Sequence, residues 1–471
     1  MTHHSSLITH HSSLRIANGA GFLGDNLDAP RRLVSAAQVD YLTLEYLAEL
    51  TLSILARLRE KDPRAGYAAD FLEVLRSLLP ELARQPQLKI VTNAGGMNPR
   101  ACAAAVAALL ASAGMADVRL GVVTGDDLLG RLDSIAAAGC PLANLDTGLP
   151  LSSLTAPVIS ANAYLGARPI VEALAGGARI VITGRVADAS LTVGPAVHEF
   201  GWRWDDWHRL AGASVAGHLI ECGAQATGGY GSRWREVDLA DVGYPIAELE
   251  PDATCVITKP DDATGRVDRL TVSEQLIYEI GDPAHYLTPD VDVDFTAVEL
   301  AEVGADRVRV SGAQGRPATD SYKASLAYKA GYTTATQLLV YGPDCVPKAH
   351  ECARIVFARL RQAGIELDHT AYELLGAGQA VPGAGPAVAD PPEVVLRIAV
   401  RDRRQEAVER FTREIAPLAT AGPAGLAGYT AARGSVRPAY AYWPALVPKH
   451  LVEPVVEVRS AADWQSGAGA P

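Results

Sequence analysis

The chain has 471 residues, room for two or three domains of ordinary size, and 48% hydrophobic and 20% charged residues, a globular composition. A net charge of −12 without any run of Lys or Arg argues against a nucleic-acid backbone as partner. No apolar stretch reaches the roughly 18–20 residues of a membrane span.

The first fourteen residues, MTHHSSLITHHSSL, lack the apolar stretch of a secretory signal and read as a disordered leader, 1–14. Residues 15–17 start a short apolar run that enters NGAGFLGDN. Residues 39–44 predict a strand, followed by helices at about 46–61 and 67–83. The second of these carries Phe71, Val74, Leu75, Leu78 and Leu79 at helical spacing. LKIVT (88–92) predicts a buried strand, and Pro99 opens an Ala-rich helix. Residues 118–124 predict a further strand, 161–174 a helix, and 178–183 a strand. Strand, polar break and helix in repetition imply a parallel sheet whose loops share one edge, where ligands bind.

Residues 205–225 read as one or two helices. Beyond Glu236, CVITK, RVDRLTV, VDFTAVEL and DRVRVSG read as strands joined by turns. The last third carries two strand–helix units separated by a Pro/Gly/Ala-rich loop at 376–392. The expected fold class is α/β. A parallel-sheet, Rossmann-like α/β domain (15–235) with a strand-end site precedes a β-rich region (236–325), a smaller C-terminal α+β domain (326–455) and a tail (456–471).

Four polar breaks follow predicted strands directly: GAGFLGDN (19–26), TNAGGMNP (92–99), TGDD (124–127) and TGRVADAS (183–190). They gather Asp25, Asn93, Asn98, Asp126, Asp127, Arg185 and Asp188 on one expected rim. Turn formation and helix capping are the competing uses of these Asp and Asn residues. The amides of Gly95 and Gly96, ahead of a proline-started helix, suit a carboxylate or phosphate. The first break contains G-x-G-x-x-G (Gly19, Gly21, Gly24), but Asp25 and Asp28 follow so closely that a pyrophosphate would be repelled. No cofactor is therefore predicted.

A second constellation lies in GHLIECGAQATGGYGS. On a helix His218, Glu221 and Cys222 share one face. An imidazolium beside a thiol makes a nucleophile. His218 and Glu221 also offer two metal ligands, short of a structural zinc set, so no metal site is predicted. The competing use of Cys222 is as a small buried hydrophobe. Gln225 and the following glycines allow a ligand close to the backbone. All six cysteines stand outside C-x-x-C pairs, which suggests free thiols in a reducing, cytoplasmic compartment. No G-x-S-x-G elbow, Walker loop or H-E-x-x-H motif occurs.

Several segments carry a family resemblance, among them NGAGFLGDNLDAP, VTNAGGMNP, TGDDL, SANAYLGA, VITGRVADASLTVGPA, GHLIECGAQATGG, TVSEQLIYEI, YLTPDV and RVRVSG. From about residue 15 to 342 the chain resembles the acyclic terpene utilisation family, AtuA. The resemblance implies work alongside acyl-CoA carboxylases and enoyl-CoA hydratases on branched terpenoid acids, and hence an acyl-CoA or branched carboxylic acid as ligand. It carries no catalytic residue with it. The expectation is a lyase or hydratase acting on an anionic small molecule, an acyl-CoA thioester or acid. Asp126, Asp127 or Glu221 would act as acid and base. Gly95, Gly96 and Arg185 would hold an anionic group, and Cys222 would be nucleophile or pocket wall. The alternatives are an accessory subunit binding an acyl-CoA carboxylase and a Cys-dependent acyl transferase. A homo-oligomer is expected, with neither nucleic acid nor membrane as partner.

Overall fold

The computed structural model describes residues 13–378, 380–381, 383, 385–388, 390–428 and 434–466. The expected leader lies outside these residues up to 12, and Leu14 already opens the first strand. The chain divides into two compact units: residues 1–154, 159–327 and 443–471 form the first, and 155–158 with 328–442 the second.

The first unit is organised on a mixed sheet. Strands β1 (Leu14–Asn18), β2 (Tyr41–Leu44), β3 (Lys89–Thr92) and β4 (Arg119–Thr124) are short and apolar and almost wholly buried. Strand β5 (Val158–Ala163) lies off this sheet, and β6 (Ile180–Thr183) inserts between β3 and β4. The pairs β1–β2, β2–β3, β3–β6 and β6–β4 are all parallel. Strands covered on both faces read as continuous apolar runs because no side faces water. The covering helices are α1 (Ala29–Ala36), α2 (Glu49–Lys61), α3 (Asp70–Arg84), α4 (Pro99–Ser112), α5 (Leu132–Ala137), α6 (Arg168–Ala175), α7 (Ser190–Phe200) and α8 (Trp207–Glu221). The core between sheet and helices includes Leu42, Ile90, Val122 and Ile182 with Phe71, Val74, Leu75 and Val106, all buried.

Three expectations are corrected here. Residues 161–174 do not form one helix: β5 occupies the start and α6 begins only at Arg168, behind Ala167 and a proline at the second helical position. The β-rich region is not separate. Strand β7 (Ile246–Leu249) pairs antiparallel with β1, and β8 (Cys255–Thr258) pairs with β7. An open strand edge exposes backbone donors and acceptors that a later strand can satisfy, so proximity in sequence does not define the sheet. The segment RVDRLTV is not a strand: its last four residues open helix α9 (Arg269–Leu276), because Asp268 caps it by accepting from the amides of Leu270 and Thr271.

Strands β9 (Tyr286–Leu287) and β10 (Asp292–Asp294) belong to a small separate sheet. Strands β11 (Glu299–Gly304) and β12 (Arg307–Ser311) extend the main sheet through β8. β13 (Gln314–Arg316) completes the small sheet, and β14 (Ser321–Tyr341) then runs from the first unit into the second.

Within the second unit, β14 pairs antiparallel with β16 (Glu393–Asp402), which pairs with β15 (His369–Leu375). Helices α10 (Cys345–Gln362) and α11 (Gln405–Thr412) bury Val356 and Phe411 with Val340, Leu396 and Ile398. Strands β17 (Leu426–Gly428) and β18 (Arg437–Pro448) follow. Of the expected tail, 456–466 forms structural elements instead, and 467–471 lies outside the described residues. Val455–Ser460 is strand β19, antiparallel to β4 along its length, and Ala461–Ser466 is a helix that buries Ala461 and Trp464. The alternation in VVEVRS suits an edge strand, and β4 offers the open edge.

Candidate active site

The C-terminal ends of β1, β2 and β6 and the end of α8 enclose a cleft of about 920 Å³ within the first unit. Its geometry starts from Asn18, the last residue of β1. The Asn18 amide donates to the carbonyls of Ile220 (2.7 Å) and Glu221 (2.9 Å), which terminate α8. Helix ends leave such carbonyls without partners, so this side chain fixes where α8 stops. Gly21 makes the same approach possible: a Cβ there would lie 2.6 Å from the Gly223 nitrogen. Asp25 then braces the loop. It accepts from the Gly21 amide (2.8 Å) and from the Tyr244 hydroxyl (2.5 Å).

On α8, His218 is buried. Its Nε2 lies 3.0 Å from the Gln275 carbonyl and its Nδ1 lies 3.2 Å from Glu221 Oε1. A carbonyl can only accept, so Nε2 carries the proton. In the neutral ring Nδ1 is then an acceptor, and Glu221 donates to it as the protonated acid. The electrostatics agree. Burial pushes His218 down. Burial, with Asp188 and Glu279 nearby, pushes Glu221 well up against a smaller opposing pull from Arg185. The second carboxyl oxygen of Glu221 has no hydrogen-bond partner among the described residues.

Opposite this pair, Arg185 follows β6 and is 3% exposed. Its guanidinium donates to the Leu47 carbonyl (2.5 Å), pairs with Asp188 at 2.9 Å and Glu45 at 3.6 Å, and lies 4.1 Å from the Tyr164 ring centre. A buried guanidinium needs this density of partners. Lys323 covers the same Tyr164 ring at 4.8 Å and pairs with Glu49 at 3.2 Å. Glu49 also accepts from the Tyr164 hydroxyl; these contacts overcome its burial and hold its carboxyl down at about 2. Glu45 behaves oppositely. Burial and Asp188 push it well up despite Arg185 and Asn93.

The cleft thus brings together Asp25, Arg185, Asp188, His218, Glu221, Cys222 and Gln225. The other predicted residues do not line it. Asp126 is buried behind Arg185, accepting from the Arg185 amide (2.8 Å) and the Asn162 side chain (2.8 Å), and burial pushes it up to about 6. Asp127 pairs with Arg59 at 3.0 Å. Asn93 accepts from the Tyr46 amide (2.8 Å) and donates to Glu45, so it supports a cleft residue. Asn98 caps α4 through the Ala101 amide and donates to the carbonyls of Pro63 and Ala65.

Gly95 and Gly96 are packing and turn residues in this arrangement. A Cβ on Gly95 would lie 2.5 Å from the Thr183 carbonyl oxygen. Gly96 has φ +51°, and its amide donates to the Asn93 carbonyl. That amide is not turned to a ligand. Cys222 lines the cleft, but both imidazole nitrogens of His218 are engaged elsewhere. Burial and Glu221 push the thiol up, the reverse of thiolate activation. The same two contacts occupy the nitrogens a metal would need. Among the described residues no group of three or more His, Cys, Asp or Glu side chains is placed to hold a metal ion.

The residues the sequence reading missed are Glu45, Glu49, Tyr164, Glu279 and Lys323. Glu45 had a signal, since it follows the predicted strand 39–44 immediately. The expected helix start at 46 hid it. Tyr164 and Lys323 lie far from any polar break, and only the fold brings them into contact, through the Tyr164 amide on the Lys323 carbonyl and the ammonium over the ring.

No curated protein and no solved structure matches the chain. A family model described as acyclic terpene utilisation family protein AtuA matches residues 14–458, a range that contains every residue lining this cleft. The chain belongs to the AtuA acyclic terpene utilisation family.

Proposed function

We propose that the chain is an enzyme of acyl-CoA or branched carboxylic acid metabolism, with acid–base chemistry of the lyase or hydratase kind. Glu221 transfers the proton and His218 positions it. The observation that carries this reading is the Glu221–His218 pair at 3.2 Å, set in a cleft with one carboxyl oxygen unpartnered. A carboxyl group kept protonated by burial is the form a general acid needs at neutral pH. Exposed Phe22, Tyr230, Leu287 and Leu446 at the cleft suit a branched hydrocarbon chain. Membership in a terpene utilisation family supports the same substrate class.

The test is direct. Wild-type protein is melted with a panel of branched acyl-CoAs and assayed for hydration and dehydration. A ligand at a hundred times its Kd adds about 2.7 kcal/mol. Glu221→Gln should retain binding and lose about 10²–10⁴-fold in turnover. Absence of any shift, with co-purification of an acyl-CoA carboxylase, would favour the accessory-subunit role instead.

A further inference from the structure

The cleft has an unusual charge inventory for a site expected to take an anion. Among the described residues, six carboxyl groups line it, Asp25, Glu45, Glu49, Asp188, Glu221 and Glu279, and two side-chain cations, Arg185 and Lys323. Both cations are engaged. Arg185 is held by Asp188 (2.9 Å), Glu45 (3.6 Å) and the Leu47 carbonyl, and Lys323 by Glu49 (3.2 Å). Both also cover Tyr164. An incoming carboxylate or phosphate would find both cations ion-paired, with Nε the one nitrogen of the Arg185 guanidinium that lacks a partner among the described residues, and would lie against carboxyl groups. An incoming positive charge meets the opposite. Glu45 and Glu221, 6% and 10% exposed, each keep a buried oxygen without a hydrogen-bond partner. Tyr278 and Tyr286 also line the wall, and aromatic rings attract cations.

Building on the acid–base reading above, we infer that the cleft stabilises positive charge. Its substrate reacts through an uncharged tertiary hydroxyl or an alkene that becomes cationic at the transition state, rather than through an enolate. In the dehydration direction the Glu221 proton turns from His218 Nδ1 to the hydroxyl oxygen and is transferred to it. The C–O bond breaks, and water leaves with the bonding pair. The electron-poor carbon sits among the carboxylates. One of them takes a proton from the adjacent carbon, and that C–H pair becomes the double bond. Hydration is the reverse, so alcohol and alkene plus water balance without oxidant or cofactor. An enolate would instead require free donors or cations aimed at an oxyanion.

Three probes of one skeleton test this on the full chain by titration calorimetry: heptyldimethylammonium, heptyldimethylcarbinol and heptyldimethylacetate. The ammonium ion should bind about tenfold tighter than the carbinol, and the carboxylate weakest. Ammonium binding should release protons, because a cation lets the crowded carboxyls ionise. The heat should then depend on the ionisation enthalpy of the buffer. Glu279→Gln should narrow the preference for the ammonium ion over the carbinol. Equal binding of the three, no binding, or tightest binding of the carboxylate overturns the inference. Carbinol dehydration is followed separately. Ammonium preference without turnover supports the charge inference while the acid–base reading fails, and turnover with a carboxylate preference does the reverse.

Discussion

Glu221 and His218 form a pair whose proton sits on the carboxyl group because both partners are buried. The consequence is a pH dependence of known sign. Glu221 works as an acid only while protonated, so turnover should fall as pH rises through its raised pKa. The groups facing it are His218, Asp188, Glu279 and Arg185. His218→Phe removes the acceptor that favours the protonated form, so the alkaline limb of the kcat profile should move to lower pH. A purely structural role for His218 would lower the profile without moving it. Cys222→Ser should keep turnover within about twofold, since a thiol pushed up by burial contributes little as nucleophile. A Cys-dependent transferase would lose turnover altogether. The sequence placed His218, Glu221 and Cys222 on one helical face. It did not decide which of them pair, because that depends on Gln275, 57 residues away, claiming Nε2.

At the scale of elements, the site depends on how β1 meets α8. Asn18→Ala leaves two helix-terminal carbonyls without their donor. Leaving such buried groups unsatisfied costs about 1–3 kcal/mol, measurable by urea denaturation. Gly21→Ala drives a methyl group into the backbone at Gly223, 2.6 Å away. Overpacking of this kind costs about 1–3 kcal/mol and should weaken ligand binding by displacing Cys222 and Glu221 together. A variant that binds and melts like wild type would show that this junction does not position the site. The strands β1, β2, β3, β4 and β6 were legible as apolar runs. The placement of β7 beside β1 and of β19 beside β4 was not, since any amphipathic strand can fill an open edge.

At the scale of the whole molecule, the buried carboxyls tie stability to pH. Asp126 rises to about 6 in the folded chain, against an unfolded value of roughly 4. The folded state therefore holds a proton that the unfolded state releases between these values. Its contribution to stability is full below about 4, declines as pH rises to about 6, and is constant beyond. Asp126→Asn should flatten that slope in urea midpoints taken across the interval. An unchanged slope would assign the effect to Glu45 and Glu221, whose raised affinities act in the same direction. No helix among the described residues is long and apolar enough to cross a membrane.

The sequence by itself determined the parallel strands, the polar breaks at their ends and the helical face carrying His218 and Glu221, because these follow from local periodicity and turn chemistry. It also carried the family, later matched over residues 14–458. Only the tertiary structure decided which breaks reach the cleft. The first and fourth do. The second is filled by its own packing, with Gly95 against Thr183 and Gly96 against Leu55, and in the third Gly125 packs against the backbone of Glu453. Only the fold, too, could bring Glu45, Glu49, Tyr164 and Lys323 to Arg185 and make the cleft rich in carboxyls. Charge and burial are sums over neighbours distant in sequence, and local pattern does not contain them.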